Sequence, residues 1–272
     1  MSSACDYTLE RTIKLDIGEN NIKIIAENNI GNTTSDNRTI IYSGSAQEKR
    51  YALVIGNSDY SSAPLRNPVN DAKAIAAELE DLGFEVMLFT NIDQSEMKRN
   101  IRSFGEKIAE NSGVGLFYFA GHGMQLNGEN YLVPVRAIIE KEQDVELESV
   151  NLQRVLGEME YARNDMNIVI LDACRNNPFS RNFRSVVSNG LTNIKAPRGT
   201  IIGFATAPGN VAADGTGEHG LYTQELLKAI RIPGLKIEDV FKLIRINVYE
   251  LSNEKQLPWE NTSIFGDFYF KK

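Results

Sequence analysis

Two unbroken apolar runs constrain this chain more than any other feature. Residues 114–120 carry Leu116, Phe117, Tyr118 and Phe119 in succession, and residues 166–171 carry Ile168, Val169, Ile170 and Leu171. A strand with one wet face alternates apolar and polar residues; a run without alternation belongs in a sheet covered on both faces. Each run is followed closely by a reactive side chain, His122 after the first and Cys174 after the second, 52 positions apart. The chain has two His and two Cys in all, so this pair is not drawn from a large pool. Taken alone, a free Cys is usually a small buried hydrophobe, and a His near a strand end is usually structural. Taken together, a thiol and an imidazole at neighbouring strand ends are what a cysteine nucleophile and its proton partner require. Gly121 and Gly123 bracket His122, which predicts a sharp backbone turn there and a close approach to substrate.

Strand and helix alternate around these runs. Strands are predicted over residues 51–55, 84–89, 114–120, 168–171 and 199–206, with a small one at 131–135 and a closing one at 266–270. Helices are predicted over 70–82, ending at Gly83, from an Asp93 cap to about 111, and over 150–162, 221–230 and 237–250. Such an order implies a mostly parallel sheet covered on both faces, with sites at the carboxyl ends of its strands. Gly56, His122, Cys174 and Thr206 fall at such ends. Residues 7–43 differ: strand candidates at 12–17, 21–26 and 38–42 are separated by Asn-, Gly- and Ser-rich turns. Residues 1–46 therefore read as the last strands of an immunoglobulin-like β-sandwich plus a linker, and residues 47–272 as a second domain.

Further motifs follow in a fixed order: Leu53-Val54-Ile55-Gly56-Asn57, Asn67-Pro68-Val69-Asn70-Asp71-Ala72, Phe119-Ala120-Gly121-His122-Gly123, Leu132-Val133-Pro134-Val135, Leu171-Asp172-Ala173-Cys174-Arg175, Phe204-Ala205-Thr206-Ala207-Pro208-Gly209 and Ala213-Asp214-Gly215. With these, the stretch from Arg50 to Lys272 resembles the caspase-like cysteine peptidases of clan CD, most of all the bacterial caspase-domain proteins and metacaspases. The His-before-Cys order and a spacing of about 50 residues are also those of caspases. The resemblance implies a three-layer α/β/α fold, the caspase-hemoglobinase fold, with a mostly parallel six-stranded sheet. It implies Cys174 as nucleophile, His122 as proton donor to the leaving amine, and the backbone N–H groups of Gly123 and Cys174 as the oxyanion hole. No third orienting residue is legible.

Specificity is read from the carboxylates. Caspases carry Gln two residues before the Cys; here Asp172 stands there, and it repels an aspartate and attracts Arg or Lys. The resemblance implies that Asp71 is a second acidic residue of the same pocket, as in metacaspases, and two carboxylates suit a guanidinium. The plainer alternatives are that Asp71 caps its helix and that Asp172 holds the Cys loop. Thr206 and Asp214 are further candidates for substrate contact. The expectation is cleavage after Arg or Lys. Residues 176–198 lack periodicity and sit where related enzymes carry an activation linker. They read either as a surface loop or as a self-cleavage segment at Arg181, Arg184, Lys195 or Arg198.

Composition narrows the partners. A net charge of −7 argues against a general nucleic-acid binder, and no apolar run is long enough to span a bilayer. Two distant cysteines do not make a disulfide framework, and Cys5 reads as a surface thiol. No cofactor is implied: zinc lacks a His/Cys cluster, and no phosphate-binding loop is present. Calcium activates many metacaspases, but Glu140, Glu142, Asp144, Glu146 and Glu148 lack the EF-hand pattern and read as an acidic solvated loop. The expected partner is a peptide or protein with a basic residue before the cut. The rival readings are an inactive caspase-like scaffold and another hydrolase using Cys174. Cytoplasmic and cell-envelope locations both stay open, as does the oligomeric state.

Overall fold

The computed structural model describes residues 11–16, 18–42, 48–164, 166–174, 196–207 and 217–272, with the backbone alone at Tyr42 and Cys174. Contacts divide the chain into two units, Met1–Glu48 and Lys49–Lys272. In the first, β1 (Gly18–Glu27) and β2 (Thr33–Tyr42) form an antiparallel hairpin in register from Gly18↔Tyr42 to Glu27↔Thr33. Its turn is held by Asn28, whose Oδ1 accepts from Ile30 N and Asn32 N. Residues 12–16, expected in a strand, are not in one. Asp16 N donates to Asn20 Oδ1 and Asn20 Nδ2 donates back to Asp16 O, a side-chain loop that competes with ladder pairing.

The second unit is a six-stranded sheet between two helical layers. Its strands are β3 (Arg50–Gly56), β4 (Glu85–Thr90), β5 (Val114–Leu126), β8 (Met166–Cys174), β9 (Thr200–Phe204) and β10 (Trp259–Thr262), in the order β10-β9-β8-β5-β3-β4. All neighbours are parallel except β10, which runs antiparallel on the β9 edge. Two short strands, β6 (Glu129–Leu132) and β7 (Val150–Asn151), extend from the far end of β5. Strand periodicity sorts the apolar runs between the faces. Val54, Leu116, Tyr118, Ile168 and Ile170 pack under α1 (Pro68–Asp81), α5 (Leu221–Ala229) and α6 (Ile237–Leu251). Leu53, Ile55, Phe117, Phe119 and Val169 pack under α2 (Gln94–Asn111) and α4 (Leu152–Ala162). The lack of alternation thus has its physical cause: both faces of β3, β5 and β8 are dry.

Local signals set several helix starts. Asp93 and Glu96 form a capping box at the start of α2. Pro68 occupies the first turn of α1, whose N-cap position is Asn67 and not Asp71. Gly56 lets the end of β3 touch that first turn: a Cβ there would overlap Pro68 O and lie 2.5 Å from Ala72 Cβ. Gly56→Ala should therefore lower stability by about 2–3 kcal/mol, read as a lower denaturant midpoint at unchanged slope.

Three expectations are corrected. Residues 266–270 form no strand, only an isolated bridge between Tyr269 and Lys236. The carbonyls of Tyr269 and Phe270 accept instead from the Arg50 guanidinium, which also lies over Phe84 and Phe268. The last strand of the chain is β10, at the β9 edge. The acidic stretch is not a loop but a helix, α3 (Glu142–Glu148), and the Asp144 carboxylate caps it by accepting from Glu140 N and Lys141 N. Finally, the chain does not turn at His122: β5 runs straight through it to Leu126 because β6 pairs with its far end.

Candidate active site

β5 and β8 are adjacent and parallel, and the last pair in their register is His122↔Cys174. The two residues named from sequence thus occupy the same rung at the carboxyl end of the sheet. His122 is buried, and its position is fixed from three sides. Tyr60 Oη accepts from His122 N at 3.0 Å and donates to Val133 O, while the Tyr60 ring lies 4.4 Å from the imidazole at 54°. On the ring, Nε2 lies 2.7 Å from Ala63 O. A carbonyl only accepts, so Nε2 carries the proton and Nδ1 is the basic nitrogen of the neutral ring. Ala63 holds φ +59, an uncommon value for a residue with a Cβ, and this sets the direction of its carbonyl. Gly121 serves close approach, not a turn: a Cβ there would lie 2.5 Å from Tyr60 Oη.

The alternation of backbone groups along β5 bears on Gly123. Val133 N donates to His122 O, which makes Gly123 and Leu132 a non-hydrogen-bonded pair. The Gly123 N–H therefore points away from β6, toward the edge where β8 ends at Cys174.

The two carboxylates also meet. Asp71, 3% exposed in the first turn of α1, accepts from His219 Nδ1 at 2.9 Å and from Gly220 N at 3.2 and 3.3 Å. Asp172 Oδ2 accepts from Thr223 Oγ1 at 2.6 Å, and Tyr118 Oη lies 2.5 Å from that same hydroxyl. The Thr223 proton is directed to Asp172, so Tyr118 is the donor of the second bond. Burial, and then the negative charges of Asp172 and Asp71, push the Tyr118 hydroxyl well above the usual phenol range and keep it a donor. One point measures how close the carboxylates come. A Cβ built on Gly220 would lie 3.3 Å from Asp71 Oδ2 and 3.4 Å from Asp172 Oδ2. Asp71 is thus not a helix cap; its oxygens face the segment that leads into α5.

The remaining sequence candidates scatter. Thr206 is fully buried just past β9, and among the described residues its Oγ1 has no hydrogen-bond partner. Arg198 precedes β9, at the opposite end of the sheet from His122, with its guanidinium over the Phe265 ring. Asp214, Arg181, Arg184 and Lys195 lie outside the described residues, as does Cys5. Among the described residues, no group of three His, Cys, Asp or Glu side chains is arranged to hold a metal ion, and no helix is long and apolar enough to cross a membrane. Sequence reasoning missed two partners. The Ala63 carbonyl has no side-chain signature, and the tie between His219 and Asp71 spans 148 positions, beyond the reach of any local pattern.

Comparison with known proteins agrees on one family. The Peptidase C14 family model, described as the caspase domain, matches residues 49–269. Over 184 residues the chain is 28% identical to mucosa-associated lymphoid tissue lymphoma translocation protein 1 of Homo sapiens, covering 67% of this chain and 21% of that protein. The Mus musculus homolog is 29% identical over 184 residues, with the same shares. The chain thus spans about a fifth of the length of these curated relatives. Among solved structures, the Drosophila initiator caspase Dronc superposes with a TM-score of 0.59 at 14% identity, over 82% of this chain and 85% of that one. At that identity the likeness concerns the fold, and it agrees with the three-layer α/β/α arrangement.

Proposed function

We propose, given that the chain belongs to the caspase domain family of peptidases, that it is a cysteine endopeptidase cutting after Arg or Lys. The observation that carries this reading is the terminal His122↔Cys174 rung of two adjacent parallel strands. In the proposed reaction the Cys174 thiolate attacks the scissile carbonyl carbon, and the carbonyl oxygen takes up negative charge. The N–H of Gly123, turned to that edge, and the N–H of Cys174 stabilise the charge. The imidazolium of His122 gives a proton to the departing amine as the C–N bond breaks, leaving a thioester. Water then adds to the thioester, His122 takes its proton, and the acid product leaves with the thiolate restored. The bond from Nε2 to Ala63 O keeps the ring in the tautomer this needs, with Nδ1 as the proton-exchanging atom.

The proximity of Asp71 and Asp172 to one point supports a basic side chain at the residue before the cut. An aspartate there would meet two like charges. The test is hydrolysis of fluorogenic peptides ending in Arg, Lys or Asp, under reducing conditions, with and without calcium. Cleavage after Arg and Lys, with none after Asp, is expected. Cleavage after Asp alone would keep the nucleophile and reject the acidic pocket. Failure of a peptidyl-Arg inhibitor to label Cys174 would favour the scaffold reading.

A further inference from the structure

The two proposed pocket carboxylates are held by one short segment. Residues 219–223, leading into and opening α5, supply His219 Nδ1–H and Gly220 N–H to Asp71, and the Thr223 hydroxyl to Asp172. Asp71 and Asp172 come from different elements, α1 and β8, so their spacing is not set by either one. Both side chains are tied to the head of α5, and Gly220 N lies within reach of both Asp71 oxygens. We propose that His219 is a positioning residue of the specificity pocket: by holding Asp71 through Oδ1 it keeps Asp71 Oδ2 facing Asp172 Oδ2, and so favours Arg over Lys at the residue before the cut. This rests on the reading of Asp71 and Asp172 as the pocket for a basic side chain.

The chemistry of the two cations makes the difference. A guanidinium is a rigid planar fork that gains most when two carboxylates are presented at fixed spacing. An ammonium is a compact charge that reaches either carboxylate with little demand on direction. Loosening Asp71 therefore weakens Arg binding more than Lys binding. A bond to a charged group that only held the fold would affect both alike. His219 suits this role better than Thr223 does as a point of test. Thr223 is fully buried and its hydroxyl also receives Tyr118, so its loss strands a buried phenol. The His219 side chain is 28% exposed and borders an open cavity of about 510 Å³ with Asn70, Lys73, Ala74 and Glu218, so its truncation opens onto solvent, not onto the core.

The experiment compares the wild-type chain with His219→Ala and His219→Asn, whose amide can donate in place of Nδ1–H. Product-type peptides ending in Arg, Lys or Asp are titrated into each by calorimetry, a readout that needs no turnover, and kcat and KM are measured where cleavage occurs. For His219→Ala we expect Arg-ended peptides to bind about tenfold more weakly, the scale of a lost hydrogen bond to a charged group. Lys-ended peptides should lose threefold or less by the same reckoning, the change should fall on KM and not kcat, and His219→Asn should recover most of the Arg preference. An unchanged Arg-to-Lys ratio in His219→Ala, or a uniform fall in kcat, overturns the positioning role while leaving the acidic pocket intact. If wild-type chain binds Asp-ended peptide as well as the basic ones, the pocket reading itself falls and the role of His219 falls with it.

Discussion

Cys174→Ala should reduce kcat/KM for Arg- and Lys-ended peptides by about four orders of magnitude or more, to the background of the assay. The size follows from what is removed: without the sulfur no thioester forms, and the two easier steps revert to one difficult one. His122→Ala should cost about 10²- to 10⁴-fold in kcat, the range of a positioned general acid and base. The double variant should be no worse than Cys174→Ala, because a proton partner without a nucleophile has nothing to serve. The decisive control is binding. Neither side chain is needed to hold a basic residue at the carboxylates, so product-type peptides ending in Arg should bind both variants with nearly wild-type affinity. Loss of turnover accompanied by equal loss of binding would mean that the end of the sheet had collapsed, and would assign no chemistry to either residue. Residual turnover of His122→Ala that rises steeply with pH would fit a thiol that must ionise without its partner.

The centre of the sheet was legible because both faces of β3, β5 and β8 are dry. An apolar run without alternation has few homes, and the capping box at Asp93 and the glycine after α1 leave chemical marks on the chain. What failed was decided by groups that carry no such mark. The tail at 266–270 reads as a strand because Phe268 and Phe270 are buried, yet their burial serves packing around the Arg50 guanidinium, which takes the carbonyls a ladder would need. Glycines around His122 read as a turn, but Gly121 is required by the Tyr60 hydroxyl, 61 positions earlier in the chain. The same holds at the candidate site. The candidate side chains are legible in the sequence, His122 and Cys174 by type and Asp71 and Asp172 through the family resemblance. Their supports are not: Ala63 contributes a carbonyl, and His219 contributes a bond to an aspartate 148 residues away.

Asp172→Asn is the second large effect expected. It removes one of the two charges at the pocket while keeping the shape, because an amide oxygen can still accept from the Thr223 hydroxyl. Truncating one partner of a buried charge pair costs about 2–5 kcal/mol. Asp172 is only partly buried, which screens the interaction and points to the lower end of that range, so kcat/KM for Arg-ended peptides should fall roughly 30- to 100-fold. Asp71→Asn should cost a similar amount, with its amide oxygen still available to His219 and Gly220. The pair should not be additive. If both carboxylates share one bound cation, removing the second charge costs less than removing the first, and the double variant should lose its preference for basic over neutral residues. Strict additivity would mean that the two charges act separately, one on substrate and one on the structure around it. Cleavage of Arg-ended peptides within twofold of wild type in Asp172→Asn, with lowered thermal stability, would move this carboxylate from the pocket to the scaffold. Its bond to Thr223, backed by Tyr118, would then be its purpose.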